Sequence, residues 1–168
     1  MNDVIQSGVD SVVGRTFLKK KSALNEKQKE TLYLVQECGI EEWTGAKYVL
    51  LFFSAGWCPP CEQFMQLLRD FYIEVNIDEK VVEVIYVSSD KAEADFKDTY
   101  AKMPWLTYRW DGSESSMHRK LNTKFDIKGV PLLYVLEANT GFLISKKGRK
   151  DICDLGVGCL KNWAEELP

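Results

Sequence analysis

Histidine and excess charge of either sign are both scarce in this chain. Of its 168 residues only His118 is a histidine, and 22 basic against 25 acidic residues leave a net charge of −3. So little net charge does not favour binding to nucleic acid or to a membrane surface. His118 stands in a polar stretch beside Arg119 and Lys120, so we expect it to be exposed, and no cysteine–histidine protease site is indicated.

The chain also lacks hydrophobic segments of the length that targeting or membrane insertion requires. Residues 1–8 contain neither a basic flank nor an apolar stretch, so no secretion signal is predicted. The longest apolar runs, 48–53 and 84–87, are far shorter than the roughly 20 residues that span a bilayer. We therefore expect a soluble, monomeric protein of the cytoplasm, with the nucleus as a second location.

Cysteine is present, but not in the pattern of a disulfide framework. Five cysteines stand at positions 38, 58, 61, 153 and 159, an odd number in a chain long enough to bury a core without covalent staples. In a reducing compartment, a close cysteine pair indicates redox catalysis or a metal site. Cys58 and Cys61, three positions apart, are such a pair.

Strands and helices are predicted to alternate around this pair. In chain order we predict an edge strand at 16–18, a helix at 26–38, a strand at 47–54, a helix at 59–75, a strand at 81–87, helices at 91–102 and 113–125, strands at 132–136 and 142–145, and a helix at 151–166. This alternation predicts an α/β sandwich, to which the turn at 139–141 adds an antiparallel strand. We expect one domain, 1–168, with its core at about 14–164.

The run Trp57-Cys58-Pro59-Pro60-Cys61 directly follows a predicted buried strand. Two cysteines so spaced at a helix start lie on one face and can close a small disulfide ring. Unpaired N–H groups and the helix dipole favour an anion at Cys58, which is the predicted nucleophile. Cys61, one turn into the helix, is predicted to stay protonated until it resolves a mixed disulfide. The prolines suit a helix start, where their missing N–H groups are not needed.

Other interpretations of these residues stay open. Cys153 and Cys159 could join the pair around a structural zinc ion, although nothing in the sequence brings them together. We expect no metal and no cofactor. Trp57 either shields the sulfurs and offers an apolar platform to a partner, or packs in the core.

Four segments are distinctive when taken together. They are Phe52–Cys61 around the cysteine pair, Tyr86–Asp90, Ala101–Leu106 with its Met-Pro-Trp, and Phe125–Pro131. In these segments the chain resembles the tryparedoxin and nucleoredoxin family of the thioredoxin-like superfamily, over about residues 14–145. The resemblance implies a thioredoxin-like three-layer sandwich in which helices flank a mixed central sheet.

The resemblance also implies further site residues. Val130-Pro131 would be a cis peptide against the cysteine pair, exposing the Val130 backbone to an incoming peptide. The alternative is an ordinary proline at a strand start. Trp105 would line the substrate surface, with core packing as its alternative. The full set implied to bind substrate is Trp57, Pro59, Pro60, Trp105, Val130 and Pro131.

The chain departs from the family pattern at three positions. Phe52 stands where many thioredoxins carry a buried aspartate that assists proton transfer, so another acceptor, such as water, is needed. Glu62 stands where tryparedoxins usually have arginine, and Lys91 where they have an acidic residue. We hypothesise that this charge pair is swapped and that Glu62 faces Lys91.

The favoured function is a thiol–disulfide oxidoreductase that reduces protein disulfides through a Cys58–Cys61 dithiol–disulfide cycle, as part of cell redox homeostasis. Its predicted partners are proteins with disulfides, by analogy including peroxiredoxins, and an upstream thiol or reductase that regenerates the dithiol. The alternative is a redox-sensitive adaptor, similar to nucleoredoxin, that binds partners through the same surface without turnover.

Overall fold

Helices pack against both faces of one mixed sheet, as predicted. The computed structural model describes residues 8–113 and 116–168, and within these ranges the sheet has seven strands. The segment 1–7, in which no secretion signal is predicted, and positions 114–115, which belong to the predicted helix 113–125, lie outside the described residues. In the described ranges no helix has the length and apolar character to cross a membrane.

The strands and helices follow one another in the order expected of an α/β protein. The strands are β1 (Phe17–Lys20), β2 (Val35–Cys38), β3 (Tyr48–Ser54), β4 (Val82–Ser88), β5 (Leu106–Thr107), β6 (Leu132–Glu137) and β7 (Leu143–Ser145). The helices are α1 (Asp10–Val13), α2 (Glu26–Thr31), α3 (Pro59–Val75), α4 (Glu93–Tyr100), α5 (Met117–Lys124), α6 (Gly148–Leu155) and α7 (Cys159–Glu165), with 3₁₀ turns at Ile40–Trp43 and Gly156–Gly158.

The centre of the sheet is made of strands buried on both sides. The order is β2-β1-β5-β4-β3-β6-β7, with β4 parallel to β3 and to β5 and the other neighbours antiparallel. Every residue of β3 and β4 is buried, which explains their continuous apolar runs. Alternate residues of β3 belong to two separate hydrophobic cores, one on each face of the sheet. Leu50 and Phe52 face α3, and Leu51 and Phe53 face the other side.

The predicted helix 26–38 is wrong in its second half. The Asn25 side chain and Gln28 form a capping box, but the helix ends at Thr31 because Leu32 is extended, with φ −116° and ψ 135°. The chain then forms β2, which pairs antiparallel with β1 from Phe17 opposite Cys38 to Lys20 opposite Val35. Pairing with a distant strand overrides the local helical pattern. As a result β1 lies between β2 and β5 and is not an edge strand.

The C-terminal region also differs from its prediction. Instead of one helix at 151–166 there are two, α6 and α7, separated by the 3₁₀ turn Gly156–Gly158. Gly156 has φ +53°, a left-handed conformation that glycine adopts without strain and that ends α6. The two-residue strand β5 was not predicted, because it is too short to carry a periodic pattern.

His118 is buried, so the prediction that it is exposed is wrong. It is 3% exposed, on the inner face of α5 together with Leu121. Its Nδ1 accepts a hydrogen bond from the Ser88 N–H at 3.0 Å, so Nε2 carries the proton and donates to the Tyr108 carbonyl at 3.1 Å. Arg119 and Lys120 beside it belong to the outer face of the same helix, which made the segment look polar.

This burial predicts a pH dependence of stability. Desolvation lowers the pKa of His118 from 6.5 to about 4, so below pH 6.5 the unfolded chain binds a proton that the folded chain does not. The contribution of neutral His118 is therefore present above pH 6.5 and falls by about 3 kcal/mol as the pH reaches 4. A His118→Gln protein should lose that much less stability over this range in urea titrations. Parallel losses in both proteins would contradict the assignment.

Candidate active site

Cys58 lies between the end of β3 and the first turn of α3. Its backbone is extended, with φ −112° and ψ 106°, and it is the N-cap of α3. Pro59 and Pro60 occupy the first two helical positions and have no N–H, so Cys61 carries the first backbone donor of the helix. That N–H donates to Cys58 Sγ at 3.3 Å. The helix thus directs a donor and its positive end toward the sulfur of Cys58.

Cys61 lies one turn into α3 and is 1% exposed. Burial, reinforced by the hydrogen bond to Cys58, raises the pKa of the Cys61 thiol to about 11. The Ser54 hydroxyl and the Ala55 N–H oppose this shift, because both hydrogen-bond to the thiolate form. Cys61 is therefore protonated at neutral pH, as expected for a resolving cysteine.

The Val130–Pro131 peptide bond lies against Cys58 and is cis, as the resemblance implies. The Cys58 thiol lies 3.7 Å from the Val130 carbonyl oxygen and is placed to donate to it. Pro131 is buried and Val130 is partly exposed just before β6.

The two tryptophans predicted to bind substrate have opposite surroundings. Trp57 is 62% exposed beside Cys58, and Pro59 and Pro60 are exposed with it. Trp105 is 1% exposed and packs edge-to-face against Phe52, with ring centroids 5.9 Å apart. The prediction that Trp105 lines the substrate surface is therefore wrong, and its alternative, core packing, is what the structure has.

The remaining cysteines lie apart from the pair. Cys38 and Cys159 are buried, and burial raises the pKa of each thiol to about 12. Cys153 is exposed on α6. In the ranges that the structure describes, no group of three or more histidine, cysteine or acidic side chains is arranged to hold a metal ion.

Glu62 pairs with a lysine other than the one hypothesised. Its carboxylate lies 3.4 Å from Lys102 Nζ, with both side chains about half exposed. The contact is with the segment that follows α4, so the hypothesis that Glu62 faces Lys91 is wrong. An exposed pair of this length contributes at most about 1 kcal/mol to stability.

Sequence analysis missed a buried acidic group next to the site. Asp90 is 6% exposed, and its Oδ1 accepts a hydrogen bond from the Gly56 N–H at 2.8 Å. The sequence did contain a signal for this group. The run Ser88-Ser89-Asp90 follows a predicted buried strand, and that strand is parallel to the one that leads into the cysteines. The pairing of β3 with β4 is what brings Asp90 to the loop before Cys58.

Comparisons with known proteins agree with this geometry. A family model described as thioredoxin-like matches residues 45–142. Tryparedoxin of Trypanosoma brucei brucei is 38% identical over 117 residues, which cover 70% of this chain and 79% of that protein. Nucleoredoxin of Danio rerio is 34% identical over 105 residues, or 62% of this chain, but the match spans only 24% of that longer protein.

Solved structures give the same result for the fold. The tryparedoxin structure from Trypanosoma brucei superimposes with a TM-score of 0.74 at 32% identity, over 93% of this chain and 98% of that one. The mixed sheet with flanking helices is thus the thioredoxin-like fold. With its cysteine pair at the start of α3 and its cis-proline opposite, this chain belongs to the tryparedoxin and nucleoredoxin family of the thioredoxin-like superfamily.

Proposed function

We propose that this protein reduces disulfides in other proteins through a cycle between the Cys58–Cys61 dithiol and disulfide. The observation that carries the proposal is the different environment of the two sulfurs. Cys58 lies at the helix N-terminus with a backbone N–H 3.3 Å from its sulfur and is 7% exposed. Cys61 is more deeply buried, at 1% exposed, and the pKa of its thiol is raised to about 11. Cys58 is thus suited to be the attacking cysteine, and Cys61 is suited to stay protonated until it resolves the mixed disulfide.

The reaction consists of two exchanges. The Cys58 thiolate attacks one sulfur of a substrate disulfide, the substrate disulfide breaks, and one substrate sulfur leaves as a thiolate. Cys61 then attacks Cys58 in the mixed disulfide and closes the Cys58–Cys61 disulfide. The second substrate sulfur leaves, and the Cys61 proton passes to that leaving thiolate or to water. Two electrons pass from the protein to the substrate, and an external thiol or reductase returns them.

The surface around Cys58 supports a protein as the substrate. Exposed Trp57 offers an apolar face, and the backbone at Val130 can pair with an extended segment that presents the disulfide. We propose exposed Trp57, Pro59 and Pro60 and partly exposed Val130 as the binding surface. Pro131 was predicted to be part of it, but it is buried and offers no exposed face. The substrates would be proteins with accessible disulfides, a class that includes peroxiredoxins, and residues 1–168 would act as one domain.

The sharpest test is a Cys61→Ser protein, which can attack but not resolve. Mixed with oxidised insulin, it should accumulate a covalent complex through Cys58, visible on non-reducing gels and released by dithiothreitol. The matched control is Cys153→Ser, which removes an exposed thiol outside the site and should trap nothing.

An adaptor would give a different result. A protein that binds partners without turnover should hold them equally well with Cys58 and Cys61 both replaced by serine, and its Cys61→Ser form should yield no complex sensitive to dithiothreitol. These two results together would reject the proposed reductase activity and support the adaptor function.

A further inference from the structure

A compact basic patch lies at the edge of the sheet, where β7 leads into α6. Its members are Lys146, Lys147, Arg149 and Lys150, all of them exposed. Four of the 22 basic residues of this acidic chain thus lie within five positions. Among the described residues only Lys150 has an ion-pair partner, Asp154. The basic patch is therefore a concentration of positive charge that the fold leaves largely uncompensated.

The fold holds the basic patch near the attacking cysteine. β7 runs antiparallel to β6, so the chain leaves β7 toward the start of β6. Gly148 packs on that start, since a Cβ there would lie 2.7 Å from the Leu133 carbonyl oxygen. The Val130 carbonyl oxygen, 3.7 Å from Cys58 Sγ, belongs to a residue only about 10 Å of extended chain away from Leu133.

Arg149 lies on the side of the basic patch that faces α3. Its guanidinium carbon is 5.9 Å from the centre of the Phe64 ring, and Phe64 comes one turn after Cys61 in α3. Lys146 reaches the other face of the sheet, with its Nζ 6.0 Å from the centre of the Tyr134 ring. The basic patch thus wraps the sheet edge beside the first turns of α3, next to the surface proposed to bind substrates.

These charges are unfavourable for the fold itself. They surround the first turn of α6, where the positive end of the helix dipole disfavours cations, and they repel one another. The one acidic residue of that turn is Asp151, whose carboxylate accepts hydrogen bonds from the Ser145 hydroxyl and from Trp163 Nε1. A local arrangement that lowers stability is typical of a functional site, and an anionic partner would relieve the repulsion.

The partner that fits the basic patch is an acidic segment of a protein. β4 and β6 lie on opposite sides of β3, and the cavity on the β4 side is lined by Glu62, Asp95 and Asp98. The two sides of the site therefore carry opposite charge. Nucleic acids bind through many phosphate contacts, whereas a few cations beside a reactive cysteine match a few carboxylates beside a disulfide.

We propose that the basic patch docks an acidic segment flanking the disulfide of the substrate protein. Substrates with aspartate or glutamate about three to five residues from the attacked cysteine are then preferred, since this length spans the distance from Cys58 to the patch. This inference rests on the proposed disulfide exchange, whose bonds and electrons the docking leaves unchanged. The effect is on association, so it weakens as salt rises.

The test compares peptides that differ only in charge. Each has one cysteine, joined by a disulfide to thionitrobenzoate, and carries glutamates, glutamines or lysines about three to five residues away, before or after the cysteine in separate peptides. Reduced Cys153→Ser protein, which lacks the exposed thiol, is mixed with each peptide in about 20 mM and about 500 mM salt. Release of coloured thionitrobenzoate is followed by stopped flow, relative to the rate of the same peptide with mercaptoethanol.

In low salt the glutamate peptide should react at least about fivefold faster than the glutamine peptide, and high salt should abolish the difference. The net charge of −3 would by itself favour the lysine peptide, so a preference for glutamate identifies the basic patch. Lys146→Gln/Lys147→Gln/Arg149→Gln should reduce the preference below about twofold. It should keep the rate with the glutamine peptide, and its melting temperature should not fall, because repulsion at α6 is relieved.

Two further variants serve as matched controls. Lys21→Gln/Lys27→Gln/Lys161→Gln removes the same charge from exposed lysines outside the basic patch and should keep the full preference. Exchange of lysine for arginine, and of arginine for lysine, at the three substituted patch positions keeps the charge but changes the packing. That variant should also keep the preference.

Several outcomes would overturn the inference. Equal rates for the glutamate and glutamine peptides in low salt would do so, as would an equal loss of preference in the charge control. A preference lost in the lysine–arginine exchange, with a lower melting temperature, would make the patch structural. Binding of a duplex oligonucleotide that the glutamine variant loses, without a preference for glutamate peptides, would assign the patch to nucleic acid.

Failure of the disulfide exchange itself gives a different result. Thionitrobenzoate release no faster than that of a Cys58→Ser protein would reject the proposed exchange. The basic patch is then judged by fluorescence anisotropy of a labelled glutamate peptide with serine in place of its cysteine. Salt-sensitive binding that the glutamine variant loses supports docking, and binding that this variant keeps overturns it.

Discussion

Replacement of Cys58 by serine is expected to abolish the catalysed reduction of insulin disulfides and to leave only the rate of dithiothreitol alone. Only a thiolate attacks a disulfide, and a serine hydroxyl is not ionised at neutral pH. The Cys61 N–H, 3.3 Å from the Cys58 sulfur, and the positive end of α3 stabilise a thiolate. In the serine variant no such anion forms, so these groups have no charge to stabilise. The rate is measured from the precipitation of the reduced insulin B chain.

The control for this prediction is Cys153→Ser, which changes an exposed thiol on α6 and should keep the full rate. Folding of both proteins is compared by circular dichroism. A Cys58→Ser protein that still turns over insulin above the dithiothreitol background would assign the attack to another cysteine and refute the proposed roles.

Replacement of Trp105 by alanine is expected to cost about 3–5 kcal/mol of the free energy of unfolding. Its ring is 1% exposed and meets Phe52 and Tyr72 edge-to-face, with centroids 5.9 and 5.7 Å away. Alanine would leave a cavity at the centre of the aromatic core, which close-packed neighbours fill only in part. The urea midpoint, measured by circular dichroism, should fall by about 2 M.

Trp57→Ala is the matched comparison, because it removes the same side chain from a site where it is 62% exposed. Its stability should stay within about 0.5 kcal/mol, while the KM for protein disulfides should rise through loss of the apolar face beside Cys58. If the two substitutions destabilised the protein equally, the core and surface placement of these tryptophans would be contradicted.

Local pattern was enough to predict the site and the elements that carry it. The apolar run of β3 leads directly into Cys58, and the two prolines start α3 by a rule that involves only the backbone of that segment. The proposed order of cysteine roles rests on the same local geometry, since a helix has its positive end at its first turn. For that reason the strand–helix junction and the α/β class could both be predicted from the sequence.

Residues whose environment is made by distant parts of the chain were mispredicted or missed. The segment 35–38 is a strand because β1 is available to pair with it, and His118 is buried because the Ser88 and Tyr108 backbones satisfy its ring. Asp90 meets Gly56 across 34 positions of sequence, through the register of two parallel strands.

The sequence alone therefore determined the cysteine pair, its helix and the class of fold, since each depends on neighbours within a few positions. Only the tertiary structure decided which tryptophan is exposed, which lysine Glu62 contacts and that buried Asp90 binds the loop before Cys58. The physical reason is that burial and hydrogen-bond partners are properties of packing, and packing joins residues that no local pattern relates.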